Sequence, residues 1–162
     1  MSYSELHTLK KSWIAVTENG NKYFQQEQFS ISKSWFEQAM QIGELLFRHA
    51  QDADSYGMPV VSAFYVSCLN LAKNFREMED IKTAGNYFFY NVWNLKQLYL
   101  RKDISATLQK EALKNWEKAV AALEVFYEQT GQTLTIDFRK EESYEQIALA
   151  KSWLTHNKTL LN

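Results

Sequence analysis

Apolar residues recur at helical spacing in six segments of the chain, and this spacing predicts six α-helices. The predicted helices cover residues 4–26, 28–53, 58–78, 81–100, 103–131 and 141–156. Residues 131–139 alternate apolar and polar side chains and are predicted to form a short extended segment. Nothing between the segments has the composition of an interdomain linker. The chain is therefore predicted to be all-α and to form one domain, residues 1–162.

The predicted helices begin and end at residues with known preferences for such positions. Gly57 and Pro59 separate the second helix from the third, because glycine frees a turn and proline suits the first turn of a helix. Asp103 or Ser105 is predicted to cap the fifth helix, and Gly131 is predicted to end it. These boundaries leave long helices joined by short connections.

A pattern of small and aromatic residues links the two helices of each of the first two pairs. In the first pair the residues are Gly20, Tyr23, Ser32, Phe36 and Ala39, at intervals of 3, 9, 4 and 3. In the second pair the same intervals connect Ala72, Phe75, Ala84, Phe88 and Asn91. Neither a single helix nor a strand would produce these intervals. Two helices folded back on one another would, with small residues where their backbones approach closely.

This pattern resembles the tetratricopeptide repeat (TPR), a helix–turn–helix unit with the motif W-x2-L-G-x2-Y…A-x3-F. The first helix of a third unit is similar at Trp116, Ala119, Val120 and Leu123. The resemblance leads us to expect a TPR-like protein from an uncharacterised bacterial family.

The length of the unit departs from the TPR family. A TPR unit repeats every ~34 residues, whereas 52 residues separate Gly20 from Ala72 and 48 separate Ala72 from Val120. Longer helices in each unit would account for the difference. The resemblance then implies a right-handed stack of three antiparallel helix hairpins, at about residues 4–54, 58–100 and 103–157.

Composition argues against several classes of protein. The 18 Lys and Arg residues nearly balance the 19 Asp and Glu residues, so no large basic face for nucleic acid is predicted. Cys68 is the only cysteine, which leaves no internal disulfide and no cysteine-based metal cluster. The longest apolar stretch, residues 58–72, contains a proline, two serines and an asparagine, and is too short and polar to span a membrane. With no signal-peptide pattern at the N-terminus, we expect a cytoplasmic protein.

No sequence motif for catalysis or for a cofactor is present. His7, His49 and His156 lie in separate predicted helices, and none has a second ligand at a familiar zinc spacing. The acidic run at residues 77–80 is interpreted as negative charge near the start of a helix, where the helix dipole favours it. The chain also lacks a glycine-rich phosphate loop and a nucleophile elbow. We predict that the protein is not an enzyme and binds no metal or cofactor.

The TPR resemblance implies a binding groove, because the first helices of such units line a concave surface. TPR domains that grip the C-terminal carboxylate of a peptide use asparagines and cations as a clamp. Asn21 and Asn70 match the asparagines, and Lys114 and Lys118 match the cations of the third unit. Thr17 stands where the clamp would have its first cation, which is a departure from the pattern. The predicted groove for a protein or peptide partner comprises Asn21, Asn70, Lys73, Lys114 and Lys118.

The fourth predicted helix has an unusual aromatic content. Residues 87–100 read YFFYNVWNLKQLYL, with apolar side chains all round the helix. Such a helix is normally buried on all sides. The alternative is that Tyr87, Tyr90 and Trp93 form an apolar surface for a ligand, for a partner helix or for a second copy of the chain.

Three alternatives to a peptide-binding scaffold therefore stay open. One is a secretion-type chaperone, which would cradle an unfolded segment and dimerise. Another is a small-molecule-binding or enzymatic protein with an aromatic pocket near Tyr87–Trp93. An enclosed cavity beside those rings would favour this second reading, and an open groove would favour peptide binding. The third is a structural subunit that forms a homodimer through its aromatic surface.

Overall fold

The computed structural model describes residues 1–131, and these residues form six helices and no strand. The helices are α1 (Tyr3–Gln25), α2 (Phe29–Arg48), α3 (Ala50–Ser55), α4 (Val61–Glu77), α5 (Ile81–Leu100) and α6 (Ala106–Thr130). The all-α prediction is confirmed for this part of the chain. Two predicted elements lie outside the described residues. They are the helix at 141–156 and all but the first residue of the extended segment at 131–139.

The prediction of one continuous helix over residues 28–53 is wrong. His49 interrupts it and separates α2 from the short α3. Its backbone, with φ −101° and ψ 21°, departs from helical geometry. No glycine or proline marks this break in the sequence, so the pattern of residues did not predict it.

Side-chain caps fix several of the helix ends. Ser2 and Glu5 form a capping box at the start of α1. Ser105 caps α6 by accepting a hydrogen bond from the amide of Leu108 at 3.0 Å. Gly131 ends α6 with a φ of 59°, in the left-handed region that favours glycine. Of the two residues predicted as the cap, Asp103 or Ser105, the cap is Ser105, and the predicted end at Gly131 is confirmed.

Asp80 begins α5, where its carboxylate accepts a hydrogen bond from the amide of Thr83 at 3.1 Å. Hydrogen bonds from the side chain and the amide of Thr83 lower the pKa of Asp80 below 3.8. A lowered pKa in the folded state means that the cap stabilises the protein above pH 3.8, and that this contribution is lost as the pH falls further. The acidic residue at this helix start therefore acts as an N-cap.

We expect Asp80→Ala to lower the midpoint of thermal unfolding at neutral pH, because the amide of Thr83 loses its acceptor. Asp80→Asn, which keeps an oxygen for the amide, should lower it less. Circular dichroism melts from neutral to acid pH would test this. The difference between wild type and Asp80→Ala should shrink at acid pH, and a difference that stays constant with pH would contradict the role of the ionised cap.

The helices pack mainly on their neighbours along the chain. α1 lies along α2, α2 along α4, α4 along α5, and α5 along α6. α4 also touches α1 on one side and α6 on the other. One continuous core passes through these contacts, and its largest fully buried side chains include Leu6, Phe36, Phe64, Leu95 and Trp116.

The small residues of the repeated pattern lie where helices meet. A Cβ atom added at Gly20 in α1 would lie only 2.4 Å from Cε1 of Phe36 in α2. The hydroxyl of Ser32 donates a hydrogen bond to the carbonyl of Gly20 at 3.0 Å. Gly20, Ser32, Phe36 and Ala39 are all buried. The sequence-based explanation of the spacing, a close approach of two helices, is confirmed for this pair.

α6 caps α4 through a side chain that lies far away in sequence. No side chain of the preceding residue, Val60, caps α4. Instead, the carboxylate of Glu111 accepts a hydrogen bond from the amide of Val61 at 3.0 Å. Burial raises the pKa of Glu111, and this effect outweighs the lowering by hydrogen bonds from the amides of Ser62 and Val61. Glu111 therefore joins α6 to the start of α4.

A polar corner, made by α3 and the starts of α1 and α6, lies at the end of the protein where Glu111 caps α4. The N-terminal amine of Met1 forms an ion pair with Asp52 at 2.8 Å. Asp54 accepts a hydrogen bond from the hydroxyl of Ser105. α3 thus contacts α6 and the N-terminal residue that precedes α1.

Candidate functional site

The first candidate surface is the exposed face of α4 together with the adjoining sides of α1 and α6. On α4 this face carries Val66, Leu69 and Asn70, which are half-buried, and Lys73, which is exposed. Their spacing of i, i+3, i+4 and i+7 places them on one side of the helix. We call this surface the α4 face.

α6 contributes two lysines to the edge of the α4 face. Lys114 and Lys118 are one turn apart and exposed. The ammonium of Lys118 lies 5.9 Å from the centroid of the Tyr65 ring in α4, within the range of a cation–π contact. Among residues 1–131, neither of these lysines nor Lys73 forms a salt bridge.

The three lysines are spread along α4 and α6 rather than meeting at a point. α4 and α6 run side by side, since Val61 contacts Glu111 near one end and Arg76 donates a hydrogen bond to Gln129 near the other. Lys118 lies level with Tyr65, so Lys114, four residues earlier, lies about level with Val61. At a rise of ~1.5 Å per residue, the distance along the helices from there to Lys73 is about 18 Å. This geometry suits an extended ligand better than a single carboxylate.

α1 borders the other side of the α4 face. The indole nitrogen of Trp13 donates a hydrogen bond to the hydroxyl of Ser67 at 2.8 Å, which holds α1 along α4. Asn21 is exposed near the end of α1, and no hydrogen bond or ion pair within residues 1–131 joins it to the lysines. Thr17 is buried and so does not line the face. The structure thus brings Asn70, Lys73, Lys114 and Lys118 onto one surface, with Asn21 at its border.

Within residues 1–131, the aromatic helix α5 is not buried on all sides. Phe88 is buried against Phe126, with ring centroids 4.8 Å apart, and Tyr87 stacks on Phe75 at 5.7 Å. Tyr90 and Trp93, however, are 39% and 40% exposed. The physical reason is that α4 and α6 cover only two sides of α5 within the described chain.

The second candidate surface is a cleft of about 420 Å³ between α2 and α5, here called the α2–α5 cleft. Its apolar lining includes Phe47 and Phe64, whose rings stack with centroids 4.3 Å apart. Tyr90 lines it as well, with its ring centroid 5.7 Å from that of Phe64. Neither Tyr87 nor Trp93 belongs to the lining, so of the three predicted aromatic residues only Tyr90 reaches this cleft.

Charged groups of α2 lie at the rim of the α2–α5 cleft. The hydroxyl of Tyr90 donates a hydrogen bond to Oε1 of Glu44 at 3.0 Å. Burial, with this hydrogen bond and the charge of Glu44, raises the pKa of Tyr90 to about 12. The other oxygen of Glu44 lies 3.7 Å from the guanidinium of Arg48. The cleft therefore combines an aromatic lining with one negative and one positive side chain.

Sequence reasoning missed the α2 half of this cleft. Glu44, Phe47 and Arg48 are spaced i, i+3 and i+4, which places them on one face of α2. That spacing was a usable signal, but Glu44 and Tyr90 are 46 residues apart in sequence. Only the packing of α2 and α5 on α4 shows that they meet.

The structure offers little support for metal or thiol chemistry in its described part. No cluster of three or more His, Cys, Asp or Glu side chains there could hold a metal ion. Cys68 is buried, with its sulfur 3.8 Å from that of Met40, and burial raises the pKa of its thiol well above 9.0. This thiol therefore stays protonated and unreactive at neutral pH.

The helices and the two surfaces define an all-α protein with an elongated polar face and a separate aromatic cleft. None of the helices within residues 1–131 is long and apolar enough to cross a membrane. The chain belongs to the family described as protein of unknown function (DUF2753), whose family model matches residues 11–151. No curated protein and no solved structure matches the chain.

Proposed function

We propose that the protein is a scaffold or adaptor that binds an extended, acidic segment of a partner protein along the α4 face. The observation that carries this proposal is the row of exposed lysines without ion pairs, next to the half-buried Val66 and Leu69. Solvated lysines attract an acidic chain, and the aliphatic side chains give it apolar surface to cover.

The proposal includes a TPR-like architecture with enlarged hairpins. Support comes from the packing order, in which α4 lies between α2 and α5 and also touches α1 and α6. The close contact of Gly20 with Phe36 is of the kind that the repeat pattern requires. In this architecture α1, α4 and α6 are the first helices of three successive units, and their shared surface is the concave one.

The length of the lysine row indicates how a partner would lie. A fully extended chain advances ~3.3 Å per residue, so an edge of about 18 Å would accommodate about five or six residues. Asn70 lies among the lysines, and its amide is suited to the backbone of such a segment. The expected ligand is therefore a short peptide with alternating acidic and aliphatic residues.

Selection from a random peptide library, followed by calorimetric titration of the selected peptides, would test the proposal. We expect acidic peptides to be enriched and to dissociate at moderate salt. Lys114→Gln combined with Lys118→Gln should weaken binding by about tenfold, since each exposed ion pair contributes ~0.2–1 kcal/mol. Asn70→Ala combined with Lys114→Ala should also weaken binding and leave the fold intact.

The matched control is Lys82→Gln combined with Lys102→Gln. It removes the same charge from exposed positions outside the α4 face and should leave the dissociation constant unchanged. A selected peptide that binds the Lys114/Lys118 variant as tightly as wild type would exclude the α4 face as its site.

A further inference from the structure

The α2–α5 cleft is separate from the α4 face and has the features of a small-ligand site. Its volume of about 420 Å³ lies within the usual range for small-molecule pockets, ~300–1,000 Å³. The ring of Phe47 is half-buried against Phe64 and contributes to the lining of the cleft. A flat aromatic group could therefore pack in the cleft beside Phe47 and Tyr90.

The charges at the rim restrict what such a ligand can carry. Glu44 and Arg48 lie one helical turn apart, with 3.7 Å between the carboxylate and the guanidinium. Arg48 is the freer cation, because its side chain is 71% exposed. Arg101 also lines the cleft, but its guanidinium forms a shorter ion pair with Asp103, at 2.6 Å. One available positive group beside one negative group suits a ligand with both charges.

Strongly anionic ligands fit this rim poorly. A phosphate group beside Arg48 would also meet the carboxylate of Glu44, and the second cation is already paired with Asp103. A purely apolar ligand would partly desolvate the ion pair of Glu44 and Arg48 and give neither group a new partner, which is unfavourable. An ammonium and a carboxylate on the same small molecule would match both side chains.

Amide groups complete the rim. The side-chain nitrogen of Asn94 donates a hydrogen bond to the backbone carbonyl of Tyr90 at 2.8 Å. This bond does not use the side-chain oxygen of Asn94. Gln97, one turn further along α5, lines the cleft and is exposed. Together they offer further acceptors for an ammonium group and a donor for a carboxylate.

We propose that the α2–α5 cleft binds a free aromatic α-amino acid, with its ring beside Phe47 and Tyr90, its ammonium at Glu44 and its carboxylate at Arg48. The site would make the protein responsive to a small metabolite. It does not depend on the proposed function, since none of its residues belongs to the α4 face.

Titration calorimetry and ligand-observed NMR of the full chain with L-tryptophan and L-phenylalanine would test this site. We expect saturable binding with a dissociation constant between micromolar and low millimolar values. N-acetyl-L-tryptophan lacks the ammonium and L-tryptophanamide lacks the carboxylate, and each should bind at least about tenfold more weakly than L-tryptophan. Equal binding of L-tryptophan and both derivatives would overturn the proposal, as would no detectable binding of either amino acid.

Variants on α2 locate the binding. Glu44→Gln and Arg48→Gln should each weaken the binding of L-tryptophan by about tenfold. Lys33 and Glu37 form the matched control, since they are the other i, i+4 ion pair of the same helix and do not line the cleft. Lys33→Gln and Glu37→Gln should bind like wild type. Circular dichroism would verify that all four variants fold, and unchanged binding by Glu44→Gln and Arg48→Gln would overturn the assignment.

Discussion

Replacing Gly20 by alanine should destabilise the protein, although alanine is the better helix former. The added Cβ would lie 2.4 Å and 2.5 Å from two ring carbons of Phe36, distances that no real packing tolerates. Phe36 is 2% exposed and has little room to move. Overpacking of this kind costs about 1–3 kcal/mol, which outweighs or offsets the gain of ~1 kcal/mol in helix propensity. We expect a net loss of up to about 2 kcal/mol in the free energy of unfolding.

Urea denaturation would measure this loss, and two further variants make the result specific. Ser12→Ala lies at an exposed position of the same helix and should be neutral or slightly stabilising. Phe36→Leu should destabilise by itself, but Gly20→Ala should cost less in that background, because the smaller side chain makes room for the methyl group. If Gly20→Ala were as stable as Ser12→Ala, α1 and α2 would not approach one another as closely as described.

Replacing Glu111 by alanine should have a comparable effect at the other end of the protein. The amide of Val61 would lose its only acceptor within residues 1–131, and Val61 is fully buried. Leaving a buried amide without a hydrogen bond costs about 1–3 kcal/mol. Glu128→Ala, at an exposed position of the same helix, is the control and should change the free energy of unfolding little.

Glutamine at position 111 separates the hydrogen bond from the charge. Its side-chain oxygen can still accept from the amide of Val61, so Glu111→Gln should retain most of the stability that Glu111→Ala loses. Burial raises the pKa of Glu111 above 4.5, so ionisation of this group favours unfolding as the pH rises beyond that value. Wild type should therefore lose stability relative to Glu111→Gln between acid and neutral pH.

Denaturation curves of the three proteins at several pH values would show whether this reasoning holds. A gain of stability in wild type relative to Glu111→Gln with rising pH would mean that the carboxylate is favoured in the folded state. Burial would then not be the dominant influence on its pKa.

Patterns of nearby residues predicted the helices well, because the formation and the ends of a helix depend on residues that are close together in sequence. The cap at Ser105 and the stop at Gly131 were predicted because they depend on side chains within a few residues of the helix end. The close contact at Gly20 was also predictable, because its partners Ser32 and Phe36 lie on the adjacent helix and the spacing recurs. The break at His49 carries no comparable local signal, and it was missed.

Contacts between distant parts of the chain were beyond the reach of such patterns. Nothing near Val61 in sequence indicates that Glu111 will cap it, and nothing near Tyr90 indicates Glu44 as its partner. The lysines at 114 and 118 were identified as groove residues through the TPR resemblance, and the structure places them beside α4. Their arrangement along an edge, rather than as a compact clamp, depends on the relative position of α4 and α6.

The polar corner changes how the protein should respond to partial unfolding. In simple repeat arrays each unit contacts only its neighbours, so the ends can fray while the centre stays folded. Here α3 follows α2 in the chain but also contacts α6, and the N-terminal amine is held at the same place. Opening α6 would break contacts with both α3 and α4, and opening α1 would expose the corner from the other side. Backbone amides of α1, α3 and α6 near the polar corner should therefore exchange with solvent in one cooperative event rather than in a graded series.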